Sequence, residues 1–208
     1  MSNFDNLKFK AILFDSGRVL NGPTTGHWYI TPNSFNFVNA KKYFLKYYNI
    51  FSKCLPQLQL NEDNIPAITK DYVYNYSKYS FFQDVINQIP QLSKSYKLAV
   101  ISDAWPSLEN VFKEAGLRDY FSSFVISSKI GVTKPHELMY KTALNQLNIL
   151  PEEAIFIDDN IKNCTGAKNL GISSFVLCRD IKLYIYNRLF NRDYCIIRDL
   201  VDLKKLLL

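Results

Sequence analysis

Four short apolar runs, at 9–14, 97–101, 154–157 and 174–177, are each bounded by polar residues. Runs of four to six residues suit strands and are too short for ordinary helices. Between the later runs the apolar spacing changes to three and four. Leu108, Val111, Phe112 and Ala115 share one helical face, and Gly116 follows where a helix terminus favours a residue free to take positive φ. Leu138, Ala143, Leu144 and Leu147 outline a second helix, and Ala167 and Leu170 before Gly171 end a third. A strand is expected around 124–126, and 194–197 followed by Leu200, Leu203 and Leu206 reads as a last strand and a closing helix. Alternating strands and helices imply an α/β fold: a doubly wound, Rossmann-like parallel sheet with helices on both faces.

Residues 21–84 break this pattern. They open with Gly22-Pro23-Thr24-Thr25-Gly26 and become aromatic and polar, without a comparable apolar run. Phe44, Leu45, Tyr48 and Phe51 suggest one helix, and Tyr72, Tyr76 and Tyr79 another. The expectation is a small helical cap at 21–84, inserted into a discontinuous core of 1–20 plus 85–208. The aromatics are read first as packing within that cap.

Composition narrows the function classes. With 48% hydrophobic and 21% charged residues the chain can build a core. Its apolar runs fall far short of the roughly 20 residues a membrane-spanning helix needs, so no membrane partner is expected. The N-terminal residues show no basic-then-apolar leader. Cys54, Cys164, Cys178 and Cys195 form no C-x-x-C pair, and a reduced, cytoplasmic protein is expected. The net charge of +6 comes from dispersed lysines, which argues against a nucleic-acid partner.

In an open parallel sheet, ligands bind beyond the carboxyl ends of the strands. The first run ends in Asp15-Ser16-Gly17, the second in Ser102-Asp103 and the later one in Asp158-Asp159, while Lys134 lies in the loop Gly131-Val132-Thr133-Lys134-Pro135. Any one of these aspartates alone reads as a turn or cap residue. Their recurrence at successive strand ends is the informative feature. Two carboxylates about 4 Å apart repel by about 4 kcal/mol at an effective dielectric near 20, so Asp15 and Asp159 together call for a cation, and oxygen ligands favour Mg²⁺. Ser102 and Lys134 would then receive a phosphate, and Asp15 would attack phosphorus.

Phe14-Asp15-Ser16-Gly17-Arg18-Val19-Leu20, then Ser102, then Lys134-Pro135, then Phe156-Ile157-Asp158-Asp159 with Asn163 four residues on, resembles the haloacid dehalogenase superfamily. The motifs span 9–178, with the cap insertion between the first and second. The resemblance implies a capped core and Mg²⁺-dependent phosphoryl transfer from a small phosphorylated metabolite through an aspartyl intermediate, with a sugar phosphate in that class. It implies Asp15 as nucleophile and metal ligand, the Gly17 carbonyl and Asp159 as further ligands, and Ser102, Asp103 and Lys134 at the phosphate. Lys134 would also steady the nucleophile, with Asp158 orienting Lys134 or a metal-bound water and Asn163 supporting the loop.

One departure stands out. Phosphatases of this family carry an acid–base aspartate two residues after the nucleophile, and here that position is Gly17. Losing such a group costs about 10²- to 10⁴-fold in rate. Ser16, Arg18, His27 and Asp103 are the candidate substitutes. The alternatives are a catalytically weak relative that binds a phosphate ligand or a partner, and a dehalogenase, whose attack on carbon needs no metal. A phosphomutase would rely on the missing aspartate.

Overall fold

The computed structural model describes residues 9–23, 79–104 and 107–207. Strands β1 (Ala11–Phe14), β4 (Lys97–Ser102), β5 (Ser123–Ile126), β6 (Ala154–Asp158), β7 (Ser173–Leu177) and β8 (Cys195–Ile197) form one sheet in the order β5-β4-β1-β6-β7-β8. Every pairing within it is parallel. A second, two-stranded unit pairs β2 (Asn21–Pro23) antiparallel with β3 (Tyr79–Phe81). The helices are α1 (Gln83–Leu92), α2 (Leu108–Glu114), α3 (Ser127–Ile130), α4 (Glu137–Leu147), α5 (Ile161–Lys168), α6 (Ile181–Phe190) and α7 (Leu200–Leu207).

The continuous apolar runs arise because the central strands are covered on both sides. Ile12, Phe14, Val100, Ile155 and Ile157 face Val85 and Ile89 of α1, Phe112 of α2 and Leu200 and Leu203 of α7. Leu13, Ala99, Ile101 and Phe156 face Met139, Tyr140, Ala143 and Leu144 of α4 and Cys164 and Ala167 of α5. Phe112 anchors an edge-to-face aromatic group, with ring centroids 4.8 Å from Phe81, 5.4 Å from Phe121 and 5.0 Å from Phe124. The expected doubly wound sheet is thus the observed one.

Details differ from expectation. Leu138 is exposed, because α4 turns Met139, Tyr140, Ala143, Leu144 and Leu147 inward. Leu206 is also exposed, whereas Leu200 and Leu203 of α7 are buried. Tyr79, placed by its spacing at a helix end, lies in β3 opposite Pro23. The other aromatics read as cap helices, Phe44 to Phe51 with Tyr72 and Tyr76, lie outside the described residues, as do His27 and most of the expected insertion. Helix α6 has no counterpart in the sequence reading. Its Ile181, Leu183, Ile185, Tyr186, Leu189 and Phe190 are all exposed, and only Asn187 is buried, so no apolar stripe announces it. Its legible signal is the N-cap: Asp180 accepts from the backbone N–H groups of Lys182 and Leu183, both at 2.9 Å.

Among the described residues, no helix is long and apolar enough to cross a membrane.

Candidate active site

The connections leave β1 toward β4 and β5, then return to β6 on its other side, so the strand order reverses between β1 and β6. A crevice forms at such a reversal beyond the carboxyl ends of the strands. The registers Phe14↔Ile157 and Asp158↔Val176 bring Asp15 level with Asp158. The Asp15 backbone N–H donates to the Ile157 carbonyl at 2.8 Å, which fixes that level.

Lys134 arrives from the loop before α4. Its Nζ donates to Asp15 Oδ1 and to Asp158 Oδ2, each at 2.6 Å, and lies 5.6 Å from the Phe156 ring centroid. Its side chain is 2% exposed and that of Asp158 is fully buried. Asp158 is further held by Asn163 Nδ2 at 3.0 Å and by the Asn160 backbone N–H at 2.8 Å. The Lys134 backbone N–H donates to Asp103 Oδ1 at 3.0 Å, so Asp103 meets the lysine loop through its main chain. Ser102 closes β4 next to β1 and is buried. Asp159 follows β6, and Gly17 lies in the turn after Asp15, bridged to Asn21. Asp15, Asp103, Asp158, Lys134 and Asn163 are thus joined by hydrogen bonds, Asp159 is grouped with Asp15 and Asp158, and Gly17 and Ser102 are near neighbours of these in the chain, while His27 lies outside the described residues.

The α5 helix presses against the lysine loop. A Cβ at Gly166 would lie 2.6 Å from Pro135 Cβ and 3.0 Å from the Pro135 carbonyl oxygen, so only hydrogen fits there. Tyr140 Oη donates to the Asn163 carbonyl at 2.8 Å, tying α4 to α5 beneath the site.

Asp15, Asp158 and Asp159 each offer a carboxylate oxygen within 4.8 Å of the others. One ammonium serves this group directly, which leaves an excess of negative charge. Burial, opposed by Lys134 and reinforced by Asp158 and Asp159, pushes the Asp15 carboxyl up to about 8. Burial also raises Asp159, to about 6, with Asp158 adding and Arg18 opposing. Lys134 is buried too, yet Asp15 and Asp158 hold it firmly protonated. The donor set is all oxygen and under-compensated, which fits a hard divalent cation.

The turn after Asp15 is rigid. The Ser16 carbonyl accepts from the backbone N–H groups of Leu20 at 2.8 Å and Asn21 at 3.0 Å, and Arg18 N–H donates to the Asn21 carbonyl at 2.7 Å. Asn21 Nδ2 donates to Ser16 Oγ at 2.8 Å, and both side chains are buried. Ser16 Oγ is thus held within the turn as an acceptor. Arg18 takes φ 60°, a left-handed conformation that costs an L-residue about 1–2 kcal/mol. Its side chain is 66% exposed and its Nη1 lies 3.6 Å from Asp159 Oδ2, a pair of the kind that returns about 0–1 kcal/mol.

Sequence reasoning missed a second charged assembly at this end of the sheet. Arg179, just after β7, donates to Asp84 Oδ1 at 2.9 Å and Oδ2 at 3.1 Å, and to the Val19 carbonyl at 2.6 Å. It stacks on Phe82 at 3.8 Å, and Asp84 Oδ2 accepts the Leu200 N–H at 2.9 Å. This guanidinium holds the chain both where it leaves β1 and where it returns after β3. Phe82-Gln83-Asp84 before an apolar helix face is its only sequence trace.

Residues 38–177 match the family model described as haloacid dehalogenase-like hydrolase, a span that includes Ser102, Lys134, Asp158 and Asp159 and starts after Asp15. Over 108 residues the chain is 32% identical to the glyceraldehyde 3-phosphate phosphatase of Pyrococcus furiosus, covering 49% of this chain and 45% of that protein. It is 25% identical over 115 residues to (S)-2-haloacid dehalogenase 2 of a Pseudomonas species, covering 55% and 49%. The chain thus spans about half the length of these curated relatives. The crystal structure of a HAD phosphatase from Thermococcus onnurineus superposes with a TM-score of 0.66 at 19% identity, covering 96% of this chain and 98% of that one, a likeness of fold.

Proposed function

Because the chain belongs to the haloacid dehalogenase-like hydrolases, we propose that it is a Mg²⁺-dependent phosphatase of a small phosphorylated metabolite, acting through an aspartyl-phosphate. The observation that carries this reading is the buried contact of Lys134 with Asp15 and Asp158 beside a third carboxylate at the reversal of strand order. Asp15, Asp159 and the Gly17 carbonyl would hold Mg²⁺, which supplies positive charge for an incoming phosphate.

In the proposed reaction an Asp15 carboxylate oxygen forms a bond to phosphorus as the ester P–O bond breaks. The leaving oxygen takes its proton from water, because residue 17 offers no side chain to donate one. A second water then attacks phosphorus, the Asp15–phosphorus bond breaks, and free carboxylate and inorganic phosphate result. Lys134 neutralises charge gathering on the phosphoryl oxygens and keeps Asp15 oriented. Asp158 and Asn163 fix Lys134, and Asp103 fixes the backbone of its loop. Ser102 would hydrogen-bond a phosphoryl oxygen, with Asp103 beside it at that subsite. The reading includes residues 21–84 as a cap on a core of 1–20 and 85–208, and the β2–β3 pairing supports it by setting Pro23 beside Tyr79.

The named activity of the Pyrococcus relative supports a phosphate ester as substrate. The dehalogenase relatives keep an alternative in play, but attack on carbon has no use for the additional carboxylate of Asp159. Purified protein with Mg²⁺ is expected to release phosphate from p-nitrophenyl phosphate and acetyl phosphate, the latter faster because its leaving group needs little protonation. Failure on both, with chloride released from 2-chloropropionate without metal, would install the dehalogenase reading. Phosphate binding without release from either ester would install the weak, binding-only relative.

A further inference from the structure

We propose that Arg18 is a specificity-determining residue that binds a carboxylate on the substrate, so that the preferred substrates are small phosphate monoesters of carboxylic acids. The inference rests on the phosphatase reading and adds to it the chemical class of the substrate.

Arg18 adopts the left-handed conformation at φ 60°, one of two non-glycine residues to do so among those described. Glycine would fit this turn with less strain. The contact the side chain makes in return, 3.6 Å to Asp159 with two thirds of its surface in solvent, stabilises the fold by less than the conformation costs. Folding therefore does not account for an arginine here. Its location does suggest a use. The turn is locked by Arg18 N–H to the Asn21 carbonyl, by the Ser16 carbonyl accepting from Leu20 and Asn21, and by the buried Asn21–Ser16 side-chain bond. A turn so held presents the guanidinium beside Asp159, one of the three grouped carboxylates.

The two cations at this rim thus differ in kind. Lys134 is buried and committed to Asp15 and Asp158. Arg18 is exposed and held by one long contact, so its planar N–H fork remains available for bidentate pairing with an incoming carboxylate. A phosphate at Asp15 and a carboxylate at Arg18 would lie on the same small molecule.

The test compares two ligands of nearly equal shape, phosphonoacetate and (2-oxopropyl)phosphonate, which carry a carboxylate and a neutral methyl ketone respectively. Binding of each is measured by titration calorimetry with Mg²⁺ to the wild-type protein and to Arg18→Gly and Arg18→Lys. Wild type is expected to bind phosphonoacetate at least about 10-fold more tightly than the ketone. In Arg18→Gly that preference should fall to within about twofold, and Arg18→Lys, which keeps charge without the fork, should fall between. Glycine suits φ 60°, so Arg18→Gly should melt at or above the wild-type temperature, which separates lost recognition from lost folding. An equal preference in wild type and Arg18→Gly, or no binding of either ligand by wild type, would overturn the inference. Phosphate release from p-nitrophenyl phosphate reports separately on the phosphatase reading: its absence, alongside an Arg18-dependent preference, leaves the carboxylate site standing and removes the turnover.

Discussion

The two ends of the central strands carry the same kinds of charged residue in opposite settings. At the amino ends Lys10 pairs with Glu153 while more than half of its side chain is in solvent, and Lys97 Nζ donates to the Leu147 carbonyl at 2.8 Å. At the carboxyl ends Lys134 is 2% exposed and shared between Asp15 and Asp158. Solvent screens the first group, so each ion there is nearly indifferent to its partner. Burial makes the second group interdependent: removing Lys134 strands two buried carboxylates, whereas removing one carboxylate lessens an excess of negative charge. The contrast separates charges spread over a solvated face from charges packed against one another in the interior.

The comparison can be broken or sharpened by experiment. Asp15→Asn should lower phosphate release by at least about 10⁴-fold, the scale on which loss of a member of a catalytic group is felt; retained activity would place the nucleophile elsewhere. Lys134→Ala, which strands two buried carboxylates, should cost about 3–5 kcal/mol in urea denaturation as well as impairing turnover. Arg179→Ala should cost about 2 kcal/mol, because Asp84 and the Val19 carbonyl both lose a charged donor. The next effect is one of pH. Carboxyls raised to about 8 at Asp15 and about 6 at Asp159 bind protons in the folded state that the unfolded chain, with carboxyls near 3.9, has already lost. Stability without metal should therefore decline as pH rises from about 4 to about 8. In thermal melts with EDTA, Tm should fall between pH 5 and pH 8, and Mg²⁺ should raise it most at pH 8. A Tm that climbs over that interval would contradict the buried-charge account. Smallest of all, Lys10→Ala should move Tm by no more than about 2 °C.

What was legible in the sequence follows from the same physics. Strands covered on both faces write themselves as continuous apolar runs, so β1, β4, β6 and β7 were found almost to the residue, and the polar residues ending them marked the rim. Ser102, Asp158 and Asp159 stand at strand ends and follow from position once the sheet is parallel, whereas Lys134 lies in a loop beyond β5 and is marked only by its place among the motifs. The Arg179–Asp84 pair was invisible because its members are 95 residues apart and obey no period. Helix α6 escaped because its apolar residues face outward on several sides, which leaves no stripe to detect. The Asn21–Ser16 bond and the role of Asp103 as acceptor for the lysine loop are likewise side-chain choices that the backbone pattern permits without requiring.

The anchoring of β2 and β3 has a structural corollary. Pro23 sits opposite Tyr79, so the chain departs and re-enters at points about one strand spacing, roughly 5 Å, apart. One guanidinium, that of Arg179, grips both crossings from below. A doorway this narrow and independently braced can be bridged by a tight turn of a few residues. With both crossings braced by the core itself, a chain in which a short turn joins Pro23 to Tyr79 should still form the sheet.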